Sequence, residues 1–97
     1  MLSKIPIDLS VMNKEDIDKG ILRVGIIAEL DAINLYEEMA ALTKNPNTRK
    51  VLLDIAKEEK THVAEFQTLL LREDKEQESE MEAGKKEIEE LVGKSSQ

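Results

Sequence analysis

The apolar positions of this chain fall on two long stripes at helical spacing, separated by one turn. On the first, Leu22, Ile26, Glu29, Ile33, Tyr36 and Ala40 recur at steps of four and three, and Ile21, Ile27 and Leu30 widen the stripe. On the second, Leu52, Ile55, Glu59, His62, Phe66 and Leu69 recur at heptad-like steps. The pattern predicts one helix from an Asn13 cap to about Thr43, with Asp16 favouring the first-turn donors, and a second from about Pro46 to Arg72. Between them, Lys44-Asn45-Pro46-Asn47 reads as a turn. Pro46 drives Asn45 out of the helical region and suits the first position of the next helix, with Asn45 as its cap. So short a connection folds the two helices into an antiparallel hairpin. Gly20 and Gly25 weaken the first helix locally and permit close backbone approach.

The ends of the chain differ from this middle. Residues 1–13 contain Pro6 and no clean period, and read as an extended N-terminal arm packed on a neighbour. Residues 14–72 form the hairpin, and 73–97 a charged C-terminal helix and tail, all within one domain spanning 1–97. From Arg72 onward the chain holds nine of its 21 acidic residues, so its apolar content is low. Met81, Ile88, Leu91 and Val92 support a short third helix, interrupted at Gly84 and stopped at Gly93, with Lys94 to Gln97 frayed.

Composition sharpens this all-α reading. Ala, Leu, Glu and Lys dominate, aromatics are only 2%, and 97 residues make at most one small domain. So lean a core gains stability from oligomerisation or from metal. The net charge of −7 argues against a nucleic-acid partner, which needs clustered Lys and Arg, and suits cations or a basic surface. The absence of cysteine excludes disulfides and thiolate metal sites. The N-terminus lacks a signal-peptide pattern and no apolar run approaches the roughly 18 residues that span a bilayer, so a cytoplasmic location without membrane contact is expected.

Three residues break the apolar stripes: Glu29 on the first helix, and Glu59 and His62, the ends of a Glu-x-x-His motif, on the second. Counted from Asn45, Glu29 lies roughly 24 Å down its helix, Glu59 roughly 21 Å and His62 roughly 26 Å, so the three meet at one height on facing helices. A carboxylate in an apolar stripe costs several kcal/mol to bury unless paired or bound to metal. Lys57, Lys60 and Arg49 all fall off that face, and a divalent metal answers the charge. Carboxylates with imidazole suit iron or manganese, and zinc less distinctively. Glu-x-x-His alone occurs by chance on many helices, and a lone stripe histidine is more often ordinary core. It is Glu29 at the matching height that turns the motif into a candidate site. Tyr36, two turns from Glu29, is equally well read as core packing or as a hydroxyl bonded to a ligand carboxylate. A di-iron carboxylate bundle takes a Glu from each of two helices and a Glu-x-x-His from each of two others. This chain supplies half, so a second copy related by a two-fold axis would complete the set.

The segment from Ile27 to Leu71 resembles the encapsulated ferritins, through AELDAINLYE around Glu29 and Tyr36 and AKEEKTHVAEF around Glu59 and His62. The resemblance implies that the hairpin and its short third helix complete a ferritin-like four-helix bundle by dimerisation. It implies Glu29, Glu59 and His62 as ferroxidase ligands to two irons per subunit pair, with Tyr36 beside them among the catalytic residues. It further implies Fe(II) oxidation with dioxygen in a decameric ring, and mineral storage in an encapsulin shell, hence a place inside an encapsulin nanocompartment. Two carboxylates that can flank the first ligand, as a route for incoming metal, are Ala28 and Asp31 here, so that feature is at best partial. Rubrerythrin-type proteins carry both halves in one chain, and the single motif copy is expected to set this chain apart from them. The function expected is therefore a ferroxidase, an oxidoreductase for iron storage or detoxification. The alternatives are a non-catalytic helical module whose interface metal is a structural staple, and a metal-free hairpin.

Overall fold

The computed structural model describes Asp8, Ser10 and residues 13–94, and within them the chain forms three helices and no strand. α1 is Lys14–Leu42, α2 is Pro46–Glu73 and α3 is Lys75–Val92. The expected N-terminal arm lies, apart from Asp8, Ser10 and Asn13, outside the described residues, as do residues 95–97 of the tail. Asn13 takes the cap position of α1 with extended backbone, but its side chain makes no capping bond; its carbonyl accepts from Asp16 N–H at 3.0 Å instead.

α2 starts at Pro46 behind an Asn45 cap, as expected, so that three residues, Thr43 to Asn45, separate it from α1. Asn45 caps that helix: its side-chain oxygen accepts from Asn47 N–H at 2.9 Å and Thr48 N–H at 3.1 Å, two donors the helix itself leaves unpaired. Arg49, one turn into α2, reaches back to the end of α1. Its Nε donates to the Ala40 carbonyl at 3.0 Å and its guanidinium also meets the Thr43 carbonyl, placing a cation at a helix C-terminus. The turn thus closes on side chains that the sequence supplies within five residues.

α1 and α2 pack along their length as the antiparallel hairpin. At Gly25 a side chain of α2 packs against the backbone of α1. A β-carbon there would lie 3.1–3.2 Å from three atoms of the Phe66 ring, so the ring lies against bare backbone. Yet the hairpin covers little of its own apolar surface. Among the described residues the buried apolar side chains are Ala40, Ala56 and Leu70, no large side chain is fully enclosed, and Ile21, Leu30 and Leu69 are about half exposed. Two helices alone cannot surround an apolar stripe on each.

α3 departs at a single residue, Asp74, which ends α2 and begins α3. Its N–H donates to the Leu70 carbonyl at 2.8 Å, its carboxylate accepts from Gln77 N–H at 3.0 Å, and Arg23 of α1 pairs with it at 2.8 Å. The expected interruption at Gly84 is not found: α3 runs 18 residues through it. One helical glycine costs about 1 kcal/mol, which the flanking Glu, Lys, Met and Ala absorb. The stop at Gly93 is as expected, with φ +83 and its N–H bonded to the Glu89 carbonyl at 2.9 Å.

Two outcomes follow from these joints. Asn45→Ala will cost about 1 kcal/mol of hairpin stability, read by urea unfolding. The Gln77 amide, helped by Arg23 and Lys19, holds the Asp74 carboxyl below its ordinary value of 3.8. A lowered folded pKa means stability present above pH 3.8 and lost as pH falls through the folded value. Acidification below that point will therefore expose the first-turn amides of α3, Gln77 among them, to hydrogen exchange.

Candidate metal centre

Glu29 sits midway along α1, while Glu59 and His62 lie one turn apart on α2. The antiparallel fold brings one ligand atom from each within 4.8 Å of the others. His62 Nδ1 lies 3.4 Å from Glu59 Oε2 and 3.5 Å from Glu29 Oε2. Both separations exceed the 2.7–3.2 Å of a good N–H···O bond. They match another geometry: two donors each about 2.1 Å from one ion at a tetrahedral angle stand about 3.4 Å apart.

The electrostatics point the same way. The Glu29 and Glu59 side chains are 20% and 18% exposed, His62 44%, so the carboxylates are withdrawn from water and the imidazole stands at the mouth. Glu29 Oε2 is buried with no hydrogen-bond partner. Leaving such an oxygen unsatisfied costs about 1–3 kcal/mol or more when it is charged. Lys60, next to Glu59 in the chain, pairs instead with Glu37 on the exposed side of the hairpin at 2.8 Å. The donor set of two carboxylates and an imidazole, with one oxygen orphaned, fits a divalent ion of intermediate hardness.

Two further residues that the sequence singles out, Tyr36 and Asp31, lie outside the group of three. Tyr36 is half-buried, and among the described residues its hydroxyl makes no hydrogen bond to Glu29, Glu59 or His62. Seven residues of rise, about 10 Å, separate it from Glu29 along α1. Asp31 is buried but does not join the converging group. The structure adds neighbours that were not singled out for this role. Glu65, Phe66 and Leu69 line a pocket together with Glu29 and His62. The positions three and four after His62 were the available signal, since these share its helical face.

Comparison with known proteins places the chain in a family. Residues 20–95 match the model of the family Rubrerythrin. The chain is 59% identical over 73 residues to a ferritin-like-encapsulin shell fusion protein of Pyrococcus furiosus, covering 75% of this chain and 21% of that one. It is 43% identical over 56 residues to an encapsulin nanocompartment cargo protein of Myxococcus xanthus, covering 58% of this chain and 43% of that one. This chain thus spans well under half the length of these curated relatives. Among solved structures it is similar to the encapsulated ferritin domain from Pyrococcus furiosus, with a TM-score of 0.83, 46% identity, and coverage of 99% and 100% of the two chains. The rubrerythrin match corrects the expectation drawn from the single motif copy. The matched span holds one Glu helix and one Glu-x-x-His helix, so the family does not require both halves in one chain.

The orphaned oxygen has a consequence for stability. With metal removed by chelator, Glu29→Leu will raise the resistance of the chain to urea by about 1 kcal/mol, because it deletes an uncompensated buried charge.

Proposed function

The chain belongs to the rubrerythrin family, among the encapsulated ferritins, and on that premise we propose that it is a ferroxidase whose di-iron site is shared between two copies. The observation that carries this reading is the meeting of Glu29, Glu59 and His62 within 4.8 Å around an unpartnered carboxylate oxygen. The substrate is Fe(II), oxidised to Fe(III) with dioxygen as electron acceptor. Glu29, Glu59 and His62 would hold the iron, the two carboxylates supplying charge and the imidazole a neutral donor. Iron at this site supplies the one-electron chemistry that protein side chains lack. The carboxylates offset the extra positive charge of the ferric product. Tyr36, about 10 Å along α1 from Glu29, would act on the site from outside the ligand set.

Sharing follows from the ligand count. A ferritin-like di-metal site takes four Glu and two His from four helices, and one hairpin offers half. The half-exposed Leu30 and Leu69, near the candidate ligands in sequence, offer apolar surface for a second copy to cover. A two-fold axis through the site would satisfy both needs with one interface. Two relatives are named for encapsulin, one as a shell fusion and one as cargo. For this chain we infer the corresponding role: iron oxidation inside an encapsulin nanocompartment, for storage or detoxification.

A structural-staple reading is favoured by one observation, the thin core of the single chain. Metal would then hold the dimer without turnover. Aerobic Fe(II) titration, followed by native mass and by absorbance of the ferric product, separates the two. Saturation at two irons per two chains with oxidation well above the buffer rate is expected, and Glu59→Ala should return the rate to that of buffer. Tight binding without acceleration would leave the staple, and no binding would end both readings.

A further inference from the structure

No short hydrogen bond fixes the direction of the His62 imidazole. Its Nδ1 faces Glu59 Oε2 and Glu29 Oε2 at 3.4 and 3.5 Å, and among the described residues Nε2 has no partner. A histidine that ligates a metal ordinarily gives its second ring nitrogen to a carboxylate or a carbonyl, which sets both tautomer and ring direction. Burial does not hold the ring either, since the His62 side chain is 44% exposed. The direction of Nδ1 towards the two carboxylates therefore depends on packing.

The packing group at hand is Phe66. It follows His62 by four residues on α2, shares its face, and lines one pocket with Glu29 and His62. Side chains on a helix lean towards its N-terminus, so Phe66 leans back over the turn that carries His62. The ring is itself seated from behind. A β-carbon at Gly25 would lie 3.1 Å from Cε2 of the ring and 3.2 Å from both Cδ2 and Cε1. Cδ2 and Cε1 stand across the ring from each other, so three distances this equal put that point over the ring's face, not at its edge. Gly25 precedes Glu29 by four residues and lies on the same face of α1. One flat side of Phe66 thus rests on bare backbone one turn from Glu29. Glycine inside a helix is less favourable than alanine, and here the ring occupies the place of the missing β-carbon.

On the reading of this site as a metal centre, we propose that Phe66, seated on Gly25, is the positioning residue for His62. The ring takes the part of the hydrogen bond that the imidazole lacks. It bounds the pocket on the side of the α2 C-terminus and leaves Nδ1 directed at Glu29 and Glu59. The role calls for a ring rather than for bulk alone, because a flat face is what fits against bare backbone. Every group involved belongs to one chain, so each hairpin carries the device before a second copy joins.

The test uses the metal-free chain and Co(II), a divalent probe whose binding is read without turnover, so the result is separate from whether Fe(II) is oxidised. The chain has one His and one Phe, and each gives a single set of ring signals by NMR. Cross-relaxation between the two rings is expected in the metal-free protein, and its absence would overturn the proposal. Phe66→Leu should bind Co(II) roughly ten-fold or more weakly by calorimetry, the loss that follows removal of a group orienting a ligand. Phe66→Tyr keeps the ring and should stay near the parent, whereas Gly25→Ala lifts the ring from its seat and should weaken binding. Circular dichroism and urea unfolding check the fold of each variant. The deciding comparison is H62A with H62A/F66L: once the imidazole is gone, removing the ring should cost no further affinity. A ring that only packs the hairpin would lower affinity equally with and without His62. That outcome would overturn the proposal, and so would parent-like binding by Phe66→Leu.

Discussion

The structure turns on the cost of holding two carboxylates and an imidazole in the apolar seam of a hairpin that has almost no core to spare. A carboxylate withdrawn from water loses several kcal/mol unless something compensates it. Here Glu29 Oε2 has no hydrogen-bond partner, and His62 Nδ1 stands 3.5 Å away. Among the described residues the buried apolar side chains are two alanines and one leucine, too few to offset such a loss by packing. The surrounding features make sense as the consequence. The apolar faces stay open where another chain can close them, and the charge stays open where a cation can neutralise it.

The rest of the fold is arranged so that this seam keeps its register. Asn45 and Arg49 lock the turn from both sides, one capping α2 and the other closing the end of α1. A turn fixed in this way sets which residues of the two helices stand opposite each other for the whole length of the hairpin. Phe66 against Gly25 then fixes the approach of the helices one turn beyond the ligands. At the far end Asp74 ties α2, α3 and Arg23 of α1 into one joint. Each of these contacts is modest, and the heights of Glu29, Glu59 and His62 depend on all of them.

Within the hairpin, most of this was legible in the residues. The stripes, the Asn45-Pro46 start and the equal distances from the turn place the three ligand candidates at one height, because a helix rises by a constant amount per residue. Less legible was anything that depended on a competition of small energies. The Gly84 break expected in α3 is absent, since a single glycine costs less than the neighbouring helix formers contribute. Asn13 takes the cap position without using its side chain, a choice that spacing does not report. Tyr36 lies two turns from Glu29, as counted, but only the structure shows that its hydroxyl makes no hydrogen bond to Glu29, Glu59 or His62 among the described residues.

By itself the sequence determined the helices, the hairpin and the type of donor that could meet in it, because periodicity and turn chemistry are local and act through backbone geometry. Tertiary structure alone decided that the donors converge, that one oxygen is orphaned, and that Glu65 and Phe66 border the pocket, because these depend on how α1 is rotated against α2. It also decided the path of α3. A one-residue joint at Asp74 turns that helix away from the hairpin.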